Sequence, residues 1–242
     1  MANFYLVEEL AEASVGGIVS VSGAEAKHIA TVARTRVGER MLVGNGRGLV
    51  VEGVAESVAP GSVAVRAESV TMTDASAPGI RLAQALAKGD RDELAIQAAT
   101  ELGVDGVIPW QAERSVSRWS GPKLEKGRER WASIVREATK QSMRPWLPDV
   151  AAAVSTRELI ATAAGQRVLV LEPSAEHPIT AVQPDGRELL LVVGPEGGIA
   201  PAELDAFRAA GAELVRLGAS VLRTSTAGPA ALAVLNAALG RW

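Results

Sequence analysis

Residues 189–201 read Leu-Leu-Leu-Val-Val-Gly-Pro-Glu-Gly-Gly-Ile-Ala-Pro, and this stretch decides the fold class. Five consecutive aliphatic residues are typical of a strand buried on both faces, as in parallel sheets that are covered by helices. The glycines permit a tight turn and a close approach of a ligand to the backbone, and Pro201 suits the first position of a helix. The stretch therefore predicts a strand, a glycine-rich turn and a helix within a parallel α/β domain.

The same alternation of strand and helix extends in both directions from this stretch. A capping box at Ser155–Glu158 predicts the start of one helix, and Pro201 and Gly211 bracket another. The apolar residues 227–239 are too few for a membrane span, which needs roughly 20, so they predict a buried C-terminal helix. Including the opening strand, which is predicted at 188–193, strands are predicted at 81–87, 106–109, 167–171, 188–193 and 213–217. Helices are also predicted at 90–103 and 123–143.

The first seventy residues have a different pattern. Short alternating runs at 18–21, 41–43, 49–58 and 62–67 predict a small β-barrel, and Ser22 with Glu25 predicts a capped helix. The cluster Gly44–Gly48 supplies residues that tolerate the positive φ angles of a hairpin connection. The polar stretch 71–79 is typical of a linker. The chain is therefore predicted to contain two domains, residues 1–73 and 74–242.

Composition excludes several kinds of chemistry. The chain has 242 residues, no cysteine, two histidines and a formal charge of -3. Without cysteine there is no disulfide framework, no cysteine-ligated zinc, no iron–sulfur cluster and no cysteine nucleophile, and we expect no metal site. The N-terminal residues lack the basic and apolar regions of a signal peptide. We therefore expect a cytoplasmic protein without membrane association.

The charge is unevenly distributed. Residues 113–148 contain nine Lys and Arg but only four Asp and Glu, so the rest of the chain is strongly acidic. On the predicted helix Arg136, Lys140 and Arg144 follow one another at intervals of four and share a face. This stripe is either an ordinary solvated helix face or a phosphate-binding surface that gains affinity by releasing counterions.

Two turns could build a ligand pocket. The first, Gly194–Gly198, is neither a phosphate-binding P-loop nor a dinucleotide fingerprint. Its Glu196 disfavours a phosphate and favours a cationic or hydroxyl-bearing ligand, because a carboxylate repels an anion. The second turn, 217–229, also leaves a predicted buried strand and enters a helix. Ligands of open α/β sheets bind at such strand ends, although either turn could serve only to connect a strand to a helix.

These motifs together resemble the RsmE family of ribosomal RNA uridine-N3 methyltransferases, within the SPOUT superfamily. The resemblance covers nearly the whole chain in order, with one departure at Ser225, where the family commonly has Glu. It is carried by G-P-E-G-G at 194–198, L-G-x-x-V-L-R-T-x-T-A at 217–227, E-L-G-V at 101–104 with Pro109 and E-R-S at 113–115, E-A-x-x-Q-S-x-R at 137–144, and H-x-x-x-V-A-R at 28–34 ahead of Gly38.

The resemblance implies a fold, a cofactor and partners. Residues 1–73 would form a PUA-like RNA-binding β-barrel. Residues 74–242 would form a SPOUT methyltransferase domain with a deep trefoil knot, working as a homodimer on ribosomal RNA or the small ribosomal subunit. By motif position the residues that bind S-adenosylmethionine (SAM) would be Leu171, Glu172, Pro173, Gly194, Glu196, Gly197, Leu217, Gly218, Val221, Leu222, Thr226 and Ala227.

The implied reaction transfers a methyl group from SAM to N3 of a uridine in 16S ribosomal RNA. Arg114 and Arg223 are the candidate catalytic residues, because an arginine beside the ring carbonyl oxygens would stabilise the charge left when N3 loses its proton. The alternative for Arg223 is a structural role in the knot or the dimer. His28, Arg34, Arg136, Lys140 and Arg144 are the candidate RNA-binding residues, although a lone histidine on a short helix, such as His28, is more often structural. The alternatives are another SPOUT reaction, ribose 2′-O methylation of RNA, and a non-catalytic RNA-binding protein.

Four tryptophans lie in or beside the basic segment, and each could offer a surface on which a base stacks. Trp131 falls on the apolar face of the predicted helix and is expected in the core, whereas Trp146 lies between prolines and is expected to be more exposed. Trp110 and Trp119 complete the set.

Overall fold

The computed structural model describes residues 3–242, so Met1 and Ala2 lie outside the described part of the chain. The chain divides into two compact units. The first contains the chain up to Ala75 together with Thr139–Leu147, and the second contains Ser76–Ala138 and Pro148–Trp242.

The first unit is built on a curled five-stranded sheet in the order β1-β3-β4-β5-β2. Strand β1 pairs parallel with β3, and the other pairings are antiparallel. Alternate residues of β4 and β5 are buried, which is the period-two pattern that predicted these strands. The four predicted strands are confirmed, and β1 is an additional one. The strands are β1 (Asn3–Leu6), β2 (Ile18–Ser22), β3 (Arg40–Gly44), β4 (Leu49–Ala59) and β5 (Ser62–Met72).

A short helix, α1 (Gly23–Lys27), follows β2 and continues as a π-helical turn, His28–Val32. This confirms the predicted helix, but the predicted capping box is wrong, because the Ser22 side chain makes no capping hydrogen bond. The Glu25 carboxylate instead lies 3.2 Å from the ammonium of Lys140. The Glu25 side chain thus pairs with a residue distant in sequence instead of taking part in a local capping box.

The connection between β3 and β4 is organised by Asn45. Its side-chain oxygen accepts hydrogen bonds from the backbone N–H of Arg47 at 2.7 Å and of Leu49 at 3.1 Å, and its amide nitrogen donates to Leu10 O at 3.1 Å. Gly46 and Gly48 have φ angles of +69° and +95°, as expected for this turn. A buried asparagine thus supplies three hydrogen bonds that close the hairpin and attach it to the preceding loop.

We expect Asn45→Ala to lower the free energy of unfolding by about 2–4 kcal/mol, because it leaves buried backbone groups without partners. Thermal unfolding of the two proteins, monitored by circular dichroism, measures the difference. Ser57→Ala on β4, where the side chain is exposed, is the control and should change stability by no more than about 0.5 kcal/mol. An unchanged melting temperature for Asn45→Ala would contradict this account of the turn.

The second unit contains an eight-stranded sheet in which every pairing is parallel, as predicted. The strand order is β11-β13-β10-β12-β6-β7-β8, with β9 also pairing with β7. All five residues of β12 are buried. The strands are β6 (Ile80–Ala85), β7 (Gly106–Gln111), β8 (Asp149–Val150), β9 (Val154–Ser155), β10 (Arg167–Leu171), β11 (His177–Pro178), β12 (Leu189–Val193) and β13 (Glu213–Arg216).

The helices confirm most of the predicted boundaries. The capping box Ser155–Glu158 is present, Pro201 begins a helix, and Gly211 follows its end with a φ of +85°. The long helix ends at Gln141 rather than at Met143, which has a φ of +54°, so Arg144 lies beyond it. The helices are α2 (Arg91–Glu101), α3 (Pro122–Gln141), α4 (Thr156–Thr162), α5 (Pro201–Ala209) and α6 (Thr224–Ala238), with a 3-10 turn at Ile179–Ala181.

The C-terminal helix α6 contributes to the core of the second unit. Its Leu232 and Leu235 are buried, and Gly228 lies so close to β6 that a Cβ atom there would be 3.2 Å from Leu82 Cδ1. The prediction of a buried helix is confirmed. Within residues 3–242, no helix has both the length and the apolar character needed to span a bilayer.

Candidate functional site

Three neighbouring strands of the second unit end at the same level and open into one cavity. In the registers of the two pairings of β10, Leu171 lies opposite Val193 of β12 and Val215 of β13. The chain leaves each of these strands into a loop, and the three loops enclose a cavity of 440 Å³. This size is typical of a small-molecule site, and the carboxyl edge of a parallel sheet is where such sites form.

The cavity contains most of the predicted cofactor residues. Ten of the twelve line it, and the two that do not, Gly197 and Thr226, lie next to lining residues in the chain. The lining residues are Arg91, Leu171, Glu172, Pro173, Val193, Gly194, Pro195, Glu196, Gly198, Ile199, Arg216, Leu217, Gly218, Ala219, Ser220, Val221, Leu222, Arg223, Thr224 and Ala227.

The glycine loop at 194–198 is held in a fixed shape. A Cβ atom at Gly194 would lie 2.6 Å from Ile199 Cγ1, so the loop closes on itself too tightly for any side chain. Gly198 has a φ of +72° and donates its backbone N–H to Pro195 O at 2.9 Å. Gly194 and Gly198 of the motif are therefore required by the geometry of the turn itself.

A buried polar chain joins this loop to the neighbouring strand. Gln84, on β6, donates from Nε2 to the Thr224 hydroxyl at 2.8 Å, and that hydroxyl donates to Gly194 O at 2.8 Å. The sequence did not single out Gln84. The available signal was a lone amide within the apolar run 82–87, since a buried amide must find hydrogen-bond partners.

Glu196 connects the glycine loop to the loop that follows β6. Its carboxylate accepts hydrogen bonds from the backbone N–H of Lys88 and from Arg91 Nη1, each at 3.0 Å. Partial burial raises the pKa of Glu196, but hydrogen bonds from its own backbone, from Lys88 and from Arg91 outweigh this and hold the pKa below its ordinary value. Glu196 is therefore a carboxylate at neutral pH and places negative charge on the cavity wall.

The two candidate catalytic arginines both reach this region. Arg223 lines the cavity at the start of α6, and its carbonyl accepts hydrogen bonds from the backbone N–H of Thr226 and Ala227. Arg114 lies in the loop after β7 and donates from Nη1 to Gly197 O at 3.2 Å. Two arginines that are distant in sequence thus lie at this cavity, Arg223 in its wall and Arg114 on the glycine loop.

A buried carboxylate that the sequence did not identify holds the Arg114 segment in place. Glu203, on α5, accepts hydrogen bonds from the Glu113 N–H at 2.9 Å, the Ala200 N–H at 3.2 Å and the Thr156 hydroxyl. These contacts connect the loop after β7 and the start of α4 to the end of the glycine loop. No local motif marks this role, because Glu203 lies 90 residues from Glu113.

The candidate RNA-binding residues do not form the predicted stripe. Lys140 is paired with Glu25 and its side chain is only 10% exposed, so its charge is not presented to solvent as the stripe required. Arg136 and Arg144 are half-buried, and Arg144 lies beyond the end of α3. In the first unit Arg34 is exposed with a φ of +54°, and the ring of His28 lies edge-on to Tyr5 at 6.2 Å.

The tryptophans of the basic segment have different roles. Trp131 is buried, as predicted. Trp146 is half-buried, and its indole N–H donates to Thr73 O at 2.9 Å, so it anchors the hairpin of the first unit. Trp110 is fully buried and packs edge-to-face on Phe207.

The fold and cavity define an α/β protein that binds a small molecule at the carboxyl edge of a parallel sheet. The family model described as an RNA methyltransferase domain matches residues 75–236. Across the whole chain, the sequence is 41% identical to ribosomal RNA small subunit methyltransferase E of Mycobacterium bovis, covering 94% of that protein.

Two further comparisons point to the same family. The Bacillus subtilis protein of the same name is 33% identical over 90% of this chain and 89% of its own length. The Neisseria gonorrhoeae enzyme of that name, solved bound to S-adenosyl methionine, superposes with a TM-score of 0.88 over 98% of both chains at 26% identity. The chain belongs to the ribosomal RNA small subunit methyltransferase E family, which confirms the resemblance found in the sequence.

Proposed function

We propose that this protein transfers a methyl group from SAM to N3 of a uridine in the RNA of the small ribosomal subunit. The observation that carries the proposal is the 440 Å³ cavity, in which the glycine loop, the 217–224 loop and Arg223 meet, with Arg114 bound to the glycine loop at Gly197. The name of the relatives supports a small-subunit RNA substrate, and the gonococcal structure supports SAM.

The residues that line the cavity suit SAM. Leu171, Leu217 and Leu222 offer apolar surface for the adenine ring, and the glycine turns expose backbone groups for hydrogen bonding. Glu172 and Glu196 contribute negative charge, which favours a cationic ligand and disfavours a phosphorylated one. When bound, SAM supplies a methyl group on a positively charged sulfur.

The protein and the RNA supply the rest of the reaction, which consists of alignment of the reactants and stabilisation of the charge that develops on the uridine. Methyl transfer is an in-line displacement, so holding the two reactants in line does much of the catalytic work. N3 must lose its proton, and the resulting charge spreads onto the ring carbonyl oxygens. Arg114 and Arg223 act as preorganised donors to those oxygens, which lowers the barrier most effectively where water is excluded.

We further propose the domain organisation that the resemblance implies. Residues 1–73 form a PUA-like RNA-binding barrel, supported by the curled five-stranded sheet, and Arg34 contributes an exposed charge to it. Residues 74–242 form a SPOUT domain with a trefoil knot around the cavity. The exposed Val221 on the cavity rim supports a homodimer in which a second copy covers it. A ribosomal RNA substrate supports a cytoplasmic location.

Two measurements test the proposed function. Isothermal titration calorimetry of the purified protein with SAM should show one site per chain. Mass spectrometry of nucleosides from RNA or small subunits treated with enzyme and SAM should detect N3-methyluridine. A methyl group on ribose would instead select 2′-O methylation, and the absence of SAM binding would overturn both enzymatic functions.

A further inference from the structure

A second cavity lies at the same edge of the sheet, at the carboxyl ends of β6 and β7. Its volume is 320 Å³, and it lies between the loop after β6 and the loop after β7. None of the residues assigned to SAM or to catalysis lines it. The lining residues are Ala87, Lys88, Gly89, Asp90, Asp92, Glu93, Val116, Ser117 and Trp119.

The loop after β6 separates this cavity from the cofactor cavity. Lys88 lines the second cavity and Arg91 lines the first. The Glu196 carboxylate binds the backbone of Lys88 and the guanidinium of Arg91, so the loop is fixed to the glycine loop. Directly after the loop, Glu93 in the first turn of α2 pairs with Arg130. A molecule in the second cavity would therefore lie beside the cofactor with one ordered loop between them.

Trp119 gives the second cavity a rigid aromatic wall. Its ring packs edge-to-face on the buried Trp131, with centroids 5.6 Å apart and an interplanar angle of 80°. A Cβ atom at Gly127 of α3 would lie 2.5 Å from Trp119 Cε2, so only glycine lets the indole lie so close to the helix. The backbone N–H of Trp119 donates to Gln111 Oε1 at 3.0 Å. Trp131 and Gly127 hold the indole from two sides and Gln111 holds the backbone, while the residue is half-buried and so keeps part of its surface open.

The polar groups of this cavity favour an uncharged ring over a phosphate. Asp90, Asp92 and Glu93 all line it, and carboxylates repel an anion. Asp92 is buried and accepts backbone hydrogen bonds from Ala87 and Glu93, and burial raises its pKa. Carboxylate oxygens accept hydrogen bonds from ring N–H and amino groups, which are donors that nucleobases carry. The exposed ammonium of Lys88 lies on the rim, where a phosphate would pass.

We propose that this cavity binds an unpaired nucleobase of the RNA substrate, stacked on Trp119. Stacking on an aromatic side chain is available to any base and contributes about 1–3 kcal/mol per base. A base held here is a neighbour of the methylated uridine rather than the methylated base itself, because the loop after β6 separates this cavity from the methyl donor. The inference rests on the proposed function for its substrate class, but binding in this cavity can be measured without any methyl transfer.

Direct binding is tested with a single-stranded hexauridylate on the protein with SAM present. A fluorescein-labelled oligonucleotide reports affinity by anisotropy, and an unlabelled one should quench the tryptophan fluorescence. Trp119→Ala should weaken binding about tenfold. Trp119→Phe keeps an aromatic ring, so it should retain affinity within about threefold while losing most of the quenching. Trp242→Phe is the matched control and should preserve both signals, because Trp242 is 65% exposed beyond α6 and lines neither cavity.

A second variant guards against a folding defect in Trp119→Ala. Val116 is 70% exposed, so Val116→Asp should leave stability unchanged while adding a negative charge at the mouth of the cavity. It should raise the KM for RNA about tenfold and leave the Kd for SAM within about twofold. Unchanged hexauridylate affinity in folded Trp119→Ala, or unchanged quenching in Trp119→Phe, would overturn the proposal. Failure of the proposed function would appear differently, as absent SAM binding or absent N3-methyluridine.

Discussion

Gly194→Ala is expected to weaken SAM binding by about 10- to 100-fold, because overpacking a close contact costs about 1–3 kcal/mol. The new Cβ atom would lie 2.6 Å from Ile199 Cγ1 and 3.4 Å from the backbone nitrogen of Ile199. Ile199 is itself buried in the core that surrounds β12, so it has little room to move. The loop must then shift, and with it the carbonyl of Gly194 that Thr224 holds. Isothermal titration calorimetry measures the change in Kd.

The control for this substitution is Gly61→Ala. Gly61 lies in the turn between β4 and β5, and a Cβ atom there would meet nothing within 4 Å, so SAM affinity and melting temperature should stay near those of the wild type. Ile199→Ala removes the clashing atom, so in that background Gly194→Ala should cost about tenfold less in affinity than in the wild type. A Kd for Gly194→Ala within about twofold of the wild-type value would show that the loop tolerates a side chain.

Local patterns in the sequence were sufficient to predict most of the helices and strands. The buried run 189–193, the capping box Ser155–Glu158 and the bracket formed by Pro201 and Gly211 each depend on residues within a few positions of one another. The sequence could not reveal the order of the strands, in which β12 lies between β10 and β6. That order depends on which apolar faces meet after collapse, and periodicity carries no information on it.

In the candidate site, too, contiguous motifs were predicted and long-range contacts were not. The two turns that line the cavity were predicted because each is a contiguous motif. Gln84, Arg91 and Glu203 were missed because their partners lie 140, 105 and 90 residues away in the sequence. A side chain that supports a site through distant contacts leaves no spacing pattern by which it can be found.

The basic segment shows that a count of charged residues in the sequence does not predict how much charge the folded surface presents. Spacing by four residues places Arg136 and Lys140 on one side of α3, yet Lys140 is paired with Glu25 of the N-terminal sequence. Arg130 is similarly paired with Glu93, and Arg128 with Glu125. Two of the basic residues, Arg130 and Lys140, are therefore paired with acidic residues from outside the segment, and Arg128 is paired within it.

Arg114→Ala is expected to lower kcat by about 100-fold, the usual cost of removing one preorganised donor to a developing negative charge. The Kd for SAM should stay within about threefold of the wild type, because Arg114 contacts the carbonyl of Gly197 and does not line the cofactor cavity. Single-turnover kinetics with saturating RNA separate the chemical step from binding. Arg128→Ala, on the exposed face of α3, is the control and should leave kcat within about twofold.

Glu203 provides a stricter test of the same arrangement, because it acts on Arg114 through the backbone of Glu113. We expect Glu203→Gln to lower kcat about tenfold, since an amide has a single acceptor oxygen and cannot accept from both the Glu113 and the Ala200 N–H. If Glu203 positions Arg114, then in the Arg114→Ala background the same substitution should change kcat by less than about twofold. A general loss of stability would instead lower activity equally in both backgrounds. Equal effects would therefore assign Glu203 to the fold alone, whereas a strong coupling would make it a positioning residue of the active site.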